Sequence, residues 1–250
     1  MNTVIRFYDD MADFYHLIFQ DWDASILRQA KILDGIFEKC NIKKLDAILD
    51  CACGIGTQTL GFARLGYRIT CSDISEGEIE RAKKESAKRK LDIDYFVADF
   101  CNLSAVFKGK FDVIIAMDNA LPHLTEPEQL KRAASSIYAR LDAGGVFVAS
   151  IRDYDVILKD KPRNPEPYIL NLPNGKRVAF QIWDWDDDVY DLTQYIVEDT
   201  DDLKIHKFTS VYRAITRTEL TSVFNAAGFR DIKWLMPENS GFYQPIMIAK

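Results

Sequence analysis

No C-x-x-C pair occurs in this chain, although it carries five cysteines, Cys40, Cys51, Cys53, Cys71 and Cys101. An odd number without paired spacing gives neither a disulfide framework nor a zinc or redox motif. Four of them lie in or beside predicted parallel strands, where a reduced thiol packs as a small apolar side chain. Positive charge is also short: 32 Lys plus Arg face 38 Asp plus Glu, a formal net charge of −6. Without a basic stripe, a nucleic-acid partner is excluded. Long apolar runs are missing too, since Arg6, Asp9, Asp10 and Asp13 interrupt MNTVIRFYDDMADFYHLIF and no later run is long enough to span a bilayer. The reading is a cytoplasmic protein without a membrane partner. No repeat, low-complexity tract or flexible linker is visible. With 48% hydrophobic residues, residues 1–250 can bury one core as a single domain.

From Ile48 to Ala149 short apolar runs alternate with amphipathic ones: AILDC, LGFARL, RITCSD, a charged helix from Glu76 to Lys90, IDYFVADF, FDVIIAMD, QLKRAASSIYARL and GGVFVASI. This β-α-β rhythm predicts an α/β fold, a mostly parallel Rossmann-like sheet with helices on both faces and strands apolar on both sides. Gly144 and Gly145 are read as the stop of the long helix. After Ile151, prolines punctuate a loop before RVAFQIWDW, LTQYIVED and KIHKFTSVYRAI, three strands of an antiparallel insertion over 155–211. A helix from Arg217 to Ala227 then leads to FRDIKWLM and YQPIMIA, which return to the main sheet.

The stretch ILDCACGIGT puts a carboxylate, Asp50, and two glycines, Gly54 and Gly56, where the first strand gives way to a helix near Thr57. In an open parallel sheet, ligands bind beyond such strand ends, and glycines let them approach backbone N–H groups. Three identities compete for the turn. A P-loop needs a Lys after Gly56, which is missing. A dinucleotide turn needs a third glycine where Thr59 stands. The third is a turn for S-adenosylmethionine.

LDCACGIGT resembles motif I of class I S-adenosylmethionine-dependent methyltransferases, and the further signals fall in that family's order. RITCSD ends at Asp73, 23 residues after Asp50, as for an acid that accepts from both ribose hydroxyls. VADF would place Asp99 at the adenine amino group and the Phe100 N–H toward the ring. AMDNALPHL would wall the methyl group. The alternative is that Asp50, Asp73 and Asp99 are strand-end turn formers. The resemblance implies S-adenosyl-L-methionine as cofactor, with contacts from Asp50, Ala52, Gly54, Gly56, Asp73 and Ile74, and from Asp99, Phe100 and Met117. FYDDMADFYHLIFQDWDASILRQA is similar to the family's cofactor lid over residues 1–30, with Tyr8, Tyr15, Trp22 and Arg28 as candidates. Arg28 would hold the cofactor carboxylate. Alternatively, the aromatics are core residues of an amphipathic helix pair.

Beyond the fifth strand, VASIRDYD is similar to the R-x-Y-D segment of glycine N-methyltransferases, and the insertion and the tail WLMPENSGFYQP look like the microbial glycine/sarcosine enzymes. The resemblance makes Arg152 a clamp for a substrate carboxylate, with Asn119, His123 and Tyr154 on the same catalytic side. Alternatively, Arg152 pairs with Asp153 or Asp155, and His123 packs or caps a loop. The chain lacks the longer N-terminal arm of the animal enzymes, which leaves open both a homo-oligomer and the substrate. Asp184, Asp186, Asp187 and Asp188 lack calcium-loop spacing and are read as a solvated hairpin turn, with no metal.

The expected function is methyl transfer to a small molecule, an amine bearing a carboxylate. An O- or C-methyltransferase of another metabolite and a non-catalytic binding protein are the alternatives, and a dehydrogenase is a weaker one. Positioning of a nucleophile can supply roughly 7–11 kcal/mol of the barrier, so neither a triad nor a metal is required.

Overall fold

The computed structural model describes residues 3–250. In chain order its elements begin with α1 (Thr3–Met11), α2 (Trp22–Lys39), β1 (Ile48–Asp50), α3 (Thr57–Arg64), β2 (Ile69–Asp73) and α4 (Glu76–Lys88). They continue with β3 (Asp94–Val97), β4 (Phe111–Ala116), α5 (Pro127–Arg140), β5 (Leu141–Ser150) and α6 (Tyr154–Asp160). Four long strands follow, β6 (Tyr168–Leu172), β7 (Gly175–Asp186), β8 (Val189–Asp199) and β9 (Leu203–Arg213). The chain closes with α7 (Arg217–Ala227), β10 (Lys233–Leu235), α8 (Pro237–Ser240) and β11 (Ile246–Ala249).

The main sheet has the order β3-β2-β1-β4-β5-β11-β10. Strands β1 to β5 pair in parallel, and β11 runs antiparallel to β5. The chain order of β1 and β4 brackets a crossover, so the ends of β1 and β4 open a crevice beyond the carboxyl edge. One apolar cluster fills one face of the sheet with Phe37, Phe62 and Tyr67. The other joins α1 and α5 to the inner side of the insertion through Trp183, Tyr190 and Phe208.

Four local expectations are corrected. Helix α5 stops at Arg140 and not at the glycines: Leu141 is already extended, and Gly144 (φ 78°) lies in an irregular start of β5 whose register shifts against β4. Helix α4 ends at Lys88, two residues short of Lys90. Strand β3 is an edge strand, so Phe96 and Val97 are 40% and 49% exposed and not covered on both faces. The insertion has a fourth strand, β6, whose prolines end before Tyr168 and leave its N–H groups free to pair with β7. The acidic run does form the tip of the β7–β8 hairpin, with Asp187 at φ 53°, and no group of metal-ligating residues occurs among the described residues. Cys51, Cys53 and Cys71 are buried free thiols, and burial pushes all three up.

The N-terminal segment is tied to the sheet by charge. Asp9 accepts from Ser75 Oγ at 2.6 Å and from the Gly77 N–H at 3.0 Å, a favourable place for an anion at the start of α4. Near the other end of α4, Glu85 meets Arg81, Lys88 and Arg89, and Arg89 reaches Asp23 at the start of α2. Burial alone would raise the Glu85 carboxyl, but hydrogen bonds from Lys88, Arg89 and Arg81 hold it at about 2. A lowered folded value stabilises above the unfolded value near 4.3 and is lost as pH falls toward about 2. Glu85→Gln is therefore expected to lower stability at pH 7 by about 1–3 kcal/mol. Urea unfolding should show the gap between variant and wild type closing below about pH 3.

Candidate active site

The turn after β1 is built on Asp50. This carboxyl lies fully beneath the turn, where Oδ2 accepts from Thr59 Oγ1 at 2.8 Å and Oδ1 from the Ala52 N–H at 3.4 Å. Thr59 thus uses the position of a third glycine to hold the acid. Burial raises the Asp50 carboxyl to about 7. Gly54 (φ 52°) brings its N–H to Asp73 Oδ2 at 2.9 Å, and a Cβ there would stand 3.0 Å from Glu78 Oε2. The turn is closed from below and open from above.

Above it lies a cavity of about 320 Å3, lined by Ala52, Gly54, Asp73, Ile74, Asp99 and Phe100 among others. Asp73 ends β2, accepts from the Ser75 N–H at 3.0 Å, and is raised by burial. Asp99 follows β3 and accepts from the Cys101 N–H at 2.8 Å. Met117, Asp118 and His123 close the far end of this cavity after β4. Two acids from neighbouring strands thus face one space, with lone pairs left over for further donors.

A second cavity of about 470 Å3 adjoins it between the sheet, the N-terminal segment and the insertion, with Asn119, Arg152, Gln181, Gln194 and Tyr212 on its wall. Tyr8, Tyr15 and Asp118 line both cavities and mark the junction. Asp118 and Asn119 have φ 56° and 70°, an uncommon pair of left-handed non-glycine residues. The turn is fixed by the Asp118 N–H on Ser150 Oγ at 2.8 Å and by the Asn119 N–H on the Ser150 carbonyl at 3.0 Å. Asn119 Oδ1 accepts from the Arg152 N–H at 2.9 Å, which sets the start of the segment after β5.

The Arg152 guanidinium donates to Tyr190 OH at 2.7 Å and to Gln181 Oε1 at 3.3 Å, and lies 4.8 Å from the Trp183 ring and 5.2 Å from the Tyr212 ring. No carboxylate among the described residues pairs with it. Asp153 and Asp155 pair instead with Arg217, which removes the structural alternative for Arg152. His123 Nε2 meets Tyr8 OH at 2.7 Å, and burial lowers the imidazole to about 3, so it is neutral at pH 7.

The other sequence candidates fall elsewhere. Arg28 is exposed on α2 and donates to Ser25 Oγ, away from both cavities; its neighbour Gln29 is the buried one. Trp22 reaches only the rim, donating to Thr57 Oγ1 at 2.9 Å. Gly56 (φ 95°) caps the start of α3, where a Cβ would stand 3.2 Å from Leu60, and Tyr154 lines neither cavity but bridges Asn119 and Tyr190 from the core. Sequence reasoning missed Asp118, Gln58, Gln181 and Tyr243. Asp118 stood inside the quoted AMDN, and Gln181 is a polar residue in an alternating strand, signals that were available.

The family described as a methyltransferase domain matches residues 48–145. The ubiquinone biosynthesis O-methyltransferase of Caulobacter vibrioides is 35% identical over 105 residues, 42% of this chain and 40% of that protein. The glycine/sarcosine N-methyltransferase of Halorhodospira halochloris is 29% identical over 140 residues, 55% of this chain and 50% of that protein. The matched stretches thus span half or less of these relatives. A solved S-adenosylmethionine-dependent methyltransferase from Clostridium acetobutylicum superposes with a TM-score of 0.75 at 16% identity, covering 100% of this chain and 99% of that one, a likeness of fold.

Proposed function

We propose that this chain, which carries a methyltransferase domain over residues 48–145, is a class I S-adenosylmethionine-dependent methyltransferase that methylates the amine of a small, carboxylate-bearing acceptor. The observation that carries this reading is Arg152, a guanidinium without a carboxylate partner on the wall of the second cavity. A permanently charged group withdrawn from water is costly unless an anion meets it. Its planar fork suits a carboxylate.

The first cavity fits the cofactor's chemistry. Asp73 and Asp99 offer carboxylate oxygens to hydroxyl and amino donors, and Gly54 leaves room for a ligand against the backbone. When bound, S-adenosyl-L-methionine supplies a methyl group already activated on a sulfonium sulfur. The chain's own task is to bind, align and exclude water. Tyr8 and Tyr15 line the junction, where aromatic rings attract a cation. His123, held neutral, fixes the Tyr8 hydroxyl. Gln181 is oriented in turn by the Trp183 indole N–H at 2.9 Å, and itself donates to Gln194 at 2.8 Å, so Arg152 is held in one attitude. A cavity of about 470 Å3 also admits acceptors larger than glycine or sarcosine.

The test is transfer of labelled methyl to glycine, sarcosine, dimethylglycine, larger amino acids and a phenol. Turnover of an amine that also carries a carboxylate is expected. Turnover of the phenol alone would assign an O-methyltransferase, the reading that the ubiquinone relative favours.

A further inference from the structure

We propose that Asp118 is the catalytic base, receiving the ammonium end of the acceptor and removing its proton before methyl transfer. This rests on the amine reading above. An ammonium must lose a proton before its nitrogen has a lone pair to donate, and the sequence named no group to take it.

Asp118 is the carboxylate that lines both cavities, at the point where donor and acceptor have to meet. Its left-handed backbone is held by Ser150 and turns the carboxyl inward. Strain of this kind persists where surrounding structure imposes it, and it concentrates at functional sites. Tyr243 OH donates to Oδ1, and Gln58 Nε2 donates to Oδ2 at 2.8 Å. Gln58 is itself held at 2.7 Å from Gln29 Oε1. Two donors leave lone pairs free on an ionised carboxyl that can accept about four hydrogen bonds. No cation among the described residues pairs with it.

The other titratable groups on the acceptor wall are worse bases. Asp153 is ion-paired with Arg217. Tyr8, Tyr15, Tyr212 and Tyr243 are all pushed up by burial and stay protonated at neutral pH. His123, at the far end of the first cavity and lowered to about 3, binds a proton too weakly. Asp118 is raised by burial, against its hydrogen bonds from Tyr243 and Gln58, and so moves toward the operating pH where a base works best. Its charge in turn reaches Asp50 beneath the turn, Tyr15 at the junction and Tyr243, and raises all three. Arg152 and Asp118 together match the two ends of a zwitterion.

In the step, one N–H bond of the ammonium breaks, its electron pair stays on nitrogen as the nucleophilic lone pair, and an O–H bond forms on Asp118. Since the methylated product is again an ammonium, the overall reaction releases one proton to water, the one that Asp118 removes.

The experiment compares wild type with Asp118→Asn and Asp118→Gly, both compatible with a left-handed backbone. It measures the pH profile of kcat/KM for the best amine, and the Kd of S-adenosylhomocysteine by calorimetry. Both variants should lose about 100- to 10,000-fold in kcat/KM at pH 7 while the S-adenosylhomocysteine Kd stays within about twofold. Their residual rate should climb about tenfold per pH unit, as free amine becomes available, where wild type has levelled off. An unchanged kcat/KM and profile would overturn the base. So would an S-adenosylhomocysteine Kd weakened as much as kcat/KM, which would make Asp118 a cofactor anchor. If wild type methylates no amine, the amine reading itself fails, a result visible before any variant is made.

Discussion

Arg152→Lys is expected to raise the KM for the carboxylate-bearing acceptor roughly 10- to 100-fold, the loss of charge-assisted hydrogen bonds worth about 1.5–3 kcal/mol. Cofactor affinity should change less than about twofold. The reason is geometric: the guanidinium is fixed by Tyr190 and Gln181 and stacked between Trp183 and Tyr212. A lysine keeps the charge but offers neither a planar fork nor a face to stack. Steady-state kinetics with calorimetric cofactor titration checks this. Equal losses in acceptor KM and cofactor Kd would return Arg152 to the framework of the fold. Loss of melting temperature without a change in KM would do the same.

Asp73→Asn should weaken S-adenosylhomocysteine binding by about 100-fold, since a charged acceptor at the end of β2 is replaced by a neutral amide that offers one acceptor oxygen. Part of that loss could come from the turn, because Asp73 also accepts from the Gly54 and Ser75 N–H groups. A double-mutant cycle separates the two. If Asp73 meets the ribose hydroxyls, a 2′-deoxy analogue should lose much in wild type and little in Asp73→Asn. Additive losses would mean that Asp73 only shapes the turn. The expected pH response has a defined sign. Burial raises the Asp73 carboxyl, so native protein holds its proton to higher pH than the unfolded chain. Removing that carboxylate should therefore not destabilise the apoprotein at neutral pH through lost charge.

The turn after β1 was readable because its chemistry is local: Gly54, Gly56 and the acid spacing lie within one strand–turn–helix unit and its successor. The same held for the mostly parallel sheet, which follows from short apolar runs alternating with amphipathic helices. What sequence left hidden depended on distance or on phase. The partners of Asp118 lie 60 and 125 residues away, at Gln58 and Tyr243. Its positive φ is a property of the folded turn and not of its residue type. Arg28 was placed by resemblance to the lid segment, yet one residue along a helix is a rotation of about 100°, and that rotation carries Gln29 inward and Arg28 to solvent. Strand β6 was obscured by the prolines before it, and the early stop of α5 by glycines that belong to the irregular start of β5. Tyr154 shared a motif with Arg152, but it is the first residue of α6 and its ring turns into the core to bridge Asn119 and Tyr190.

A crystal structure of the protein with S-adenosylhomocysteine tests most directly whether the two adjoining cavities divide donor from acceptor. The nucleoside is expected between Asp73 and Asp99, with the sulfur at Tyr8, Tyr15 and Asp118 and directed toward Arg152. A nucleoside bound elsewhere, or a sulfur turned away from the second cavity, would contradict it.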